Sequence, residues 1–517
     1  MCIRDMLGDT LREQAGDELF GAVETVRGRA KDARSGDPER LEALARDLAE
    51  TPMELALPLA RAFSHFLNLA NIAEQHHRTR RRRAYLSDPS ASPQRGSCLA
   101  AFRGLLDDGM SPDALYRAVG SLRIELVLTA HPTEVTRRML LLKFNRIADL
   151  LADRDRGDLT IPEREELIEA LRREIDAIWE TDEVRHERPT PADEARRGFV
   201  VIEQVLWRSV PRFLRNVDRA LVELTGRPLP VEAAPIRFGS WMGGDRDGNP
   251  NVTPEVTEEV CLLSRWVAVD RLEREVHALR DELSMVEAGR ELRDRVGPVR
   301  EPYRAYLRGV RERLRATRDR IEARLAGRDL DDTPIYDDPE ELAEALRLCR
   351  RSLLETGEDR IAGGRLLDVQ RQLACFGLSL VRLDLRQDAA RHTDAVDAIA
   401  RGSGHGSYAD RNESERQRFL LDGLADDRLE LPAGLELAPE VREVLDTFRM
   451  AARQPPGSLG AYVISMARAP SDVLAVEYLQ RAAQVRPALP VVPLFETVDD
   501  LRGSAAALGR LLDLPWY

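Results

Sequence analysis

The chain has 517 residues and a formal net charge of −13, with 43% hydrophobic and 32% charged residues. This length exceeds one ordinary domain and indicates either several domains or one large, elaborated barrel. An acidic chain is not typical of nucleic-acid-binding proteins, and no segment approaches the ~20 consecutive apolar residues that a membrane helix needs.

The first part of the chain reads as helix. One helix begins at Pro38 and places Leu41, Leu44 and Leu48 on a single face. The N-terminus before it lacks the basic segment and apolar core of a signal peptide. We therefore expect a cytoplasmic protein, with no nucleic-acid or membrane partner, in which residues 1–120 form an N-terminal helical region.

Helical patterns also dominate two later segments, 131–234 and 250–377. Before them, Ser111 is predicted to cap a helix that has Pro112 in its first turn. A long helix is predicted from Ala192 to Leu224, because its apolar residues recur every three to four positions.

Five short, mostly apolar segments rich in β-branched or aromatic residues interrupt these helical patterns. They are Ile124–Ala130, Pro235–Trp241, Leu378–Asp384, Ala461–Ala467 and Pro490–Phe495. Such segments are typical of buried parallel strands, and the helices between them predict right-handed crossovers. We therefore predict a mainly α protein in which residues 121–517 form an incomplete α/β barrel with large helical insertions.

Charged and titratable side chains follow each predicted strand. In chain order they are His131 and Glu134, then Asp245, Arg246 and Asp247, then Arg386, then Arg468, and finally Glu496. An α/β barrel and an open doubly wound sheet both place their active site at the carboxyl ends of the strands. Either fold would gather these side chains into one site.

The first motif is TAHPTE, residues 129–134. His131 is a titratable base directly after a buried strand, Pro132 fixes the chain direction, and Glu134 and Arg137 add a carboxylate and a cation. A lone histidine is more often structural, but its position favours a functional role.

The second motif is GSWMGGDRDGNPNVT, residues 239–253. Its glycines permit close approach of the backbone to an anion or a metal. An EF-hand is excluded, because the sixth and twelfth loop positions are Pro250 and Val256. A tight loop in which the acidic residues and Arg246 neutralise one another is the alternative.

Two single residues complete the candidate site. Arg386 suits the binding of a phosphate or a carboxylate, or it forms an ion pair with Asp384 or Asp388. Glu496 ends an apolar strand, where an unpaired carboxylate is unfavourable, so we expect a metal or an arginine beside it.

These motifs, together with LDLRQDAARHT (383–393) and VPLFET (492–497), resemble the bacterial type of phosphoenolpyruvate carboxylase from about Leu7 to Tyr517. The resemblance implies a carboxy-lyase that converts phosphoenolpyruvate and bicarbonate into oxaloacetate and phosphate, replenishing the tricarboxylic acid cycle, with Mg²⁺ or Mn²⁺. It also implies an eight-stranded barrel, of which five strands are expected here, and a homotetramer when the polypeptide is full length.

The resemblance assigns roles to individual residues. His131 would be the catalytic histidine, and Arg386 and Arg246 would bind the substrate anion. Glu496 would be a metal ligand. Asp245 and Asp247 would shape the loop over the site.

Family chains continue beyond the similarity with a second metal carboxylate, a catalytic lysine and a phosphate-binding loop. The only lysines in this chain are Lys31 and Lys143, and neither matches the family's catalytic lysine. We therefore expect an N-terminal fragment that is inactive alone.

The motifs argue against two other functions. A different phosphoenolpyruvate-using barrel enzyme, such as a mutase or a kinase, is disfavoured by the length of the motifs. A non-catalytic helical scaffold or regulatory homologue is disfavoured because His131, Arg386 and Glu496 are intact.

Overall fold

A computed structural model describes residues 3–34, 38–88, 90–129, 138–182, 189–328, 330, 333–426, 428–431 and 437–517. The first helices are α1 (Ile3–Ala33, broken at Gly16), α2 (Pro38–Ala49), α3 (Met53–Leu86), α4 (Cys98–Asp107), α5 (Pro112–Ser121), α6 (Arg138–Arg154), α7 (Ile161–Glu180), α8 (Pro191–Val201) and α9 (Trp207–Thr225). The later helices are α10 (Pro254–Glu282), α11 (Arg290–Val296), α12 (Pro302–Leu325), α13 (Pro339–Glu355), α14 (Asp359–Ala362), α15 (Arg365–Phe376), α16 (Ala389–Gly402), α17 (Glu413–Ala425), α18 (Pro439–Ala452), α19 (Pro470–Ala482) and α20 (Val498–Leu512). Within these described ranges, no helix is both long enough and apolar enough to cross a membrane.

The described residues divide into two compact units, and the first is wholly helical. It joins residues of 1–95 to residues of 132–188. Leu7 and Leu11 of α1 share one apolar core with Ile147 of α6 and Ile175 of α7. Helices α6 and α7 belong to this unit because their apolar faces pack on the N-terminal helices.

The second unit, which joins 96–131 to 189–517, contains a five-stranded sheet. Its strands are β1 (Ile124–Leu128), β2 (Ile236–Ser240), β3 (Arg382–Asp388), β4 (Leu459–Ser465) and β5 (Val491–Pro493). All four neighbouring pairs are parallel, and the strands follow one another in chain order. The predicted class, a mainly α protein with an incomplete α/β barrel, is therefore confirmed.

The third strand begins four residues later than predicted. The apolar segment from Leu378 to Val381 is buried, but it forms a turn in which the Val381 amide donates to the Ser379 carbonyl at 2.6 Å. Leu380 has a φ of 60°, which an extended strand does not allow. As a consequence Arg386 lies within β3 rather than after it.

The long helix predicted from Ala192 to Leu224 is present, but one π-helical turn over Ile202–Leu206 separates α8 from α9. Pro211 in α9 has no N–H group, so the carbonyl of Trp207 loses its helical donor. The side-chain amide of Gln372 donates to that carbonyl at 2.9 Å. A buried side chain from α15 thereby satisfies a group that the proline leaves open.

Two smaller helix predictions are confirmed. Ser111 caps α5, accepting a hydrogen bond from the Ala114 amide at 3.2 Å. The helix predicted to begin at Pro38 is α2, on which Leu41 and Leu48 are exposed.

Candidate functional site

The loop after β2 lies directly against β3. The amide of Arg246 donates to the carbonyl of Arg386 at 2.9 Å, and the Arg386 amide donates to the Gly244 carbonyl at 2.9 Å. A Cβ atom on Gly244 would overlap the Asp384 carbonyl, and Gly243 has a φ of 86° and packs against Val260. The glycine pair is therefore required for the loop to approach the strand.

This approach places three carboxylates around one guanidinium, in what we call the Arg386 cluster. Nη2 of Arg386 donates to Asp247 Oδ2 at 2.7 Å and to Glu496 Oε1 at 3.3 Å, and Nη1 donates to Asp245 Oδ2 at 3.3 Å. The Arg386 side chain is 16% exposed, whereas the three acidic side chains are each about a third exposed. The cluster thus lies at the surface of the sheet's carboxyl end.

Neighbouring groups fix the members of the Arg386 cluster. The Asp247 amide donates to Asp245 Oδ1 at 3.0 Å, and the Met466 amide donates to Glu496 Oε2 at 2.9 Å. Met466 has a φ of 56°, a strained value for a residue other than glycine. Met466 directly follows β4, and its conformation directs its amide at the Glu496 carboxylate.

Another carboxylate, Asp384 on β3, orients the Trp241 side chain beside Arg386. Asp384 accepts hydrogen bonds from Trp241 Nε1 at 3.0 Å and from the Ala461 amide at 2.7 Å. The guanidinium carbon of Arg386 lies 5.4 Å from the centre of the Trp241 ring. Burial raises the pKa of Asp384 despite these two hydrogen bonds.

The electrostatic balance of the Arg386 cluster favours the binding of cations. Three carboxylates face one guanidinium, and burial raises the pKa of Asp245 even though Arg386 opposes that shift. Arg386 Nε is buried and has no hydrogen-bond partner among the described residues. The cluster therefore combines an unused donor, suited to an anion, with excess negative charge, suited to a metal.

Arg246, which the resemblance assigns to the substrate anion, anchors the loop after β2 in the structure. Its guanidinium lies in the interior, where Nη2 donates to Thr257 Oγ1 at 2.6 Å, Nη1 donates to the Gly244 carbonyl at 3.1 Å, and Nε is 3.8 Å from Glu443. Thr257 in turn donates to the Gly243 carbonyl at 2.8 Å. These contacts hold the loop to α10 and bury the guanidinium, which also interacts electrostatically with Asp245 of the Arg386 cluster.

The alternative ion pairs considered for Arg386 are wrong. Asp384 is bonded to Trp241 and Ala461, and Asp388 caps α16 by accepting from the Ala390 amide at 2.7 Å. The partners of Arg386 come from the loops that follow β2 and β5 instead. Sequence separation concealed these partners, since more than 100 residues divide Arg386 from each of them.

Sequence reasoning missed two contributors to the site. Trp241 and Met466 were not identified because neither has a charged side chain, although Trp241 lies within the motif at residues 239–253. Only the pairing of the strands brings both groups to the Arg386 cluster.

The remaining predicted residues have separate outcomes. His131, with Glu134 and Arg137, lies outside the described residues, and its role stays a prediction. Arg468 lies 3.4 Å from Asp500, and Lys143 lies in the other unit, 3.9 Å from Glu174.

The donor chemistry of the Arg386 cluster suits a metal ion. Carboxylate oxygens are the ligands that Mg²⁺ and Mn²⁺ prefer, and Glu496, Asp245 and Asp247 supply them at one place. Within the described ranges, no group of three or more His, Cys, Asp or Glu side chains is already arranged to hold a metal. The residues fit a metal chemically, provided that they separate from Arg386.

Five parallel strands that follow one another in chain order, with a charged cluster at their carboxyl ends, place this protein in the α/β-barrel class. The chain matches the family described as phosphoenolpyruvate carboxylase over residues 1–517, and it belongs to that family. Among curated relatives of that name, the protein from Pseudomonas putida is 49% identical over 513 residues, that from Marinobacter nauticus 48% over 516, and that from Acinetobacter baumannii 46% over 521. Each alignment covers 99% of this chain and 58% of the relative, so the chain spans well under two thirds of their length.

Proposed function

We propose that this chain forms part of a phosphoenolpyruvate carboxylase, which carboxylates phosphoenolpyruvate with bicarbonate to give oxaloacetate and phosphate in the cytoplasm. The observation that carries the proposal is the Arg386 cluster at the carboxyl ends of parallel strands in a member of this family. A scaffold or regulatory homologue would have no need of a strained Met466 and a glycine pair that serve such a cluster.

Arg386 is proposed to bind the substrate anion. Its Nε lacks a partner in the described part of the chain, and its two other nitrogens hold carboxylates through hydrogen bonds of 2.7–3.3 Å. A phosphate or a carboxylate of the substrate can replace those partners, because the guanidinium fork matches either group.

Arg246 is proposed as a positioning residue rather than a substrate contact. Its bonds to Gly244 and Thr257 fix the loop that carries Asp245 and Asp247. Loss of this anchor would loosen both carboxylates without removing a charge from the Arg386 cluster.

Glu496 is proposed as a ligand of Mg²⁺ or Mn²⁺, with Asp245 and Asp247 close enough to contribute. When bound, the metal would supply positive charge to neutralise the anionic substrate. Substrate binding to Arg386 would free Glu496 from its 3.3 Å contact with that residue. Metal and substrate would then assist each other's binding, because each takes one partner of the same ion pair.

His131 is proposed to move protons during carboxylation. The test is His131→Asn in the complete polypeptide, with oxaloacetate coupled to malate dehydrogenase. We expect the carboxylation rate to fall roughly 10²–10⁴-fold, the range for a general acid or base, with substrate affinity retained. Near-normal carboxylation would remove His131 from the mechanism.

The complete polypeptide is proposed as the active form, assembled as a homotetramer. The chain spans 58% of its curated relatives, and the resemblance places a second metal carboxylate and a catalytic lysine in the part of the family that lies beyond the similarity. Expression of residues 1–517 beside the complete polypeptide, with excess Mg²⁺ and bicarbonate, should give turnover only with the latter. Absence of turnover in both would favour the non-catalytic homologue, and sedimentation velocity would report the assembly.

A further inference from the structure

Asp384 lies where the pairing between β3 and β4 is irregular. The register shifts by one residue between Leu383 and Leu385. As a result, Gly460 and Ala461 of β4 together oppose Asp384, which is the arrangement of a β-bulge. Such a bulge takes a backbone amide out of the regular ladder, and the Ala461 amide donates instead to Oδ1 of Asp384 at 2.7 Å. A side chain of β3 therefore completes the hydrogen bonding of the bulge.

The second oxygen of this carboxylate binds the side chain of Trp241. Trp241 Nε1 donates to Oδ2 of Asp384 at 3.0 Å, and Asp384 is only 8% exposed. A carboxylate accepts hydrogen bonds and donates none, so its two oxygens match two N–H donors. Gly460 leaves room for it, because a Cβ atom at that position would overlap Oδ1. The bulge therefore holds Asp384, and Asp384 holds the indole.

The Trp241 ring differs in kind from the other partners of Arg386. The three carboxylates of the Arg386 cluster are the groups that a substrate anion is proposed to replace. An aromatic ring attracts a guanidinium without occupying its N–H donors, and the ring centre lies 5.4 Å from the guanidinium carbon. The ring can therefore stay in contact with Arg386 while the carboxylates exchange with the substrate.

We propose that Asp384 is a positioning residue for substrate binding, which acts through Trp241 to keep the Arg386 guanidinium in place while a substrate anion replaces its carboxylate partners. This inference rests on the proposed carboxylase function. Loss of a positioned cation that binds the anion equally in the ground state and the transition state raises KM and leaves kcat unchanged. A purely structural role for Asp384 would change stability without that selective effect on KM.

The test uses the complete polypeptide, with oxaloacetate coupled to malate dehydrogenase. Asp384→Asn keeps the shape of the side chain but offers one acceptor oxygen to two N–H donors. Its KM for phosphoenolpyruvate should rise roughly tenfold, because hydrogen bonds to charged groups contribute about this factor. Its kcat should stay within about twofold of wild type. An unchanged KM beside an active wild type would overturn the proposal.

The route through the indole is tested with Trp241→Phe, which keeps an aromatic face for Arg386 and removes the Nε1 donor. This variant alone should also raise KM, so it decides the question even if Asp384→Asn does not fold. In the Trp241→Phe background, Asp384→Asn should change KM by less than about twofold, because both changes break the same hydrogen bond. Effects that multiply would overturn the proposal.

Asp397 of α16 provides a matched control. Its carboxylate also accepts backbone amides, from Tyr408 at 2.7 Å and from Ala409 at 2.9 Å, and it has no part in the Arg386 cluster. Asp397→Asn should lower stability in urea and leave KM unchanged. An equal rise in KM for Asp397→Asn and Asp384→Asn would overturn the proposal, because KM would then report a general loss of structure. A wild type without turnover would refute the carboxylase function itself, and this inference with it.

Discussion

Two arginines on the same strand have opposite environments. Arg386, at the carboxyl end of β3, contacts three carboxylates from distant parts of the chain. Arg382, at the amino end, lines a cavity and has no ion pair among the described residues. The sheet places identical side chains on one strand, but the loops around each end determine whether the charge is balanced. Because Arg386 has three carboxylate partners and Arg382 has no ion pair among the described residues, the same substitution should have different effects at the two positions.

The largest effect is expected at the carboxyl end. Arg386→Met in the complete polypeptide should lower kcat/KM for phosphoenolpyruvate by about 10²–10³-fold, because a preorganised cation for the substrate anion is lost. Arg382→Met, measured in parallel, should cause a much smaller loss. Equal losses for the two variants would contradict the distinction between the ends.

The next effect concerns the loop that builds the Arg386 cluster. Gly244→Ala should destabilise the fold by roughly 2–3 kcal/mol, because the new Cβ overlaps the Asp384 carbonyl and must displace backbone. Gly503→Ala is the control, since that glycine lies within α20 and has open space around it. Urea unfolding measures both variants. A tolerated Gly244→Ala would mean that the loop does not need its close approach to β3.

A third prediction compares two buried glutamines on α15. Gln370→Met should stabilise residues 1–517 by about 1 kcal/mol, because it removes unsatisfied polar atoms. Gln372→Met should destabilise them by roughly 1–3 kcal/mol, because the carbonyl of Trp207 then loses its donor. Thermal unfolding distinguishes the two signs. Destabilisation by both changes would show that Gln370 already has partners.

The smallest effect concerns pH. Folding raises the pKa of Asp245 through burial. The protonated side chain therefore contributes to the stability of the folded state at low pH, and this contribution is lost as the pH rises above the ordinary pKa of 3.8. Asp245→Asn mimics the protonated form, and its stability relative to wild type should therefore be greater at pH 7 than near pH 3. Chemical unfolding at both pH values tests this. The opposite trend would mean that attraction to Arg386 outweighs burial.

The sequence predicted the elements better than their exact bounds. Apolar segments located all five strands, and the capping pattern of Ser111 and Pro112 located α5. The start of β3 was misplaced, because Leu378 and Leu380 are buried in a turn and not in a strand. Hydrophobicity reports burial, and it does not distinguish a buried turn from a buried strand.

The candidate site shows the same division. The motifs identified Asp245, Asp247, Arg386 and Glu496 as chemically active residue types, and local patterns were enough for that. Their convergence depends on the parallel pairing of β2, β3, β4 and β5, which joins segments more than 100 residues apart. The inward direction of the Arg246 side chain likewise depends on Thr257 and Glu443.

By itself, the sequence determined the helical and strand segments, the family and the residues that could take part in binding or catalysis. These follow from local composition and motif spacing. The tertiary structure alone decided which charges neutralise one another and which remain unpaired. Arg386, Arg246 and Arg382 are the same residue type, yet one joins a surface cluster, one anchors a loop and one lines a cavity. Charge balance at each position depends on distances between segments that only the packed fold brings together.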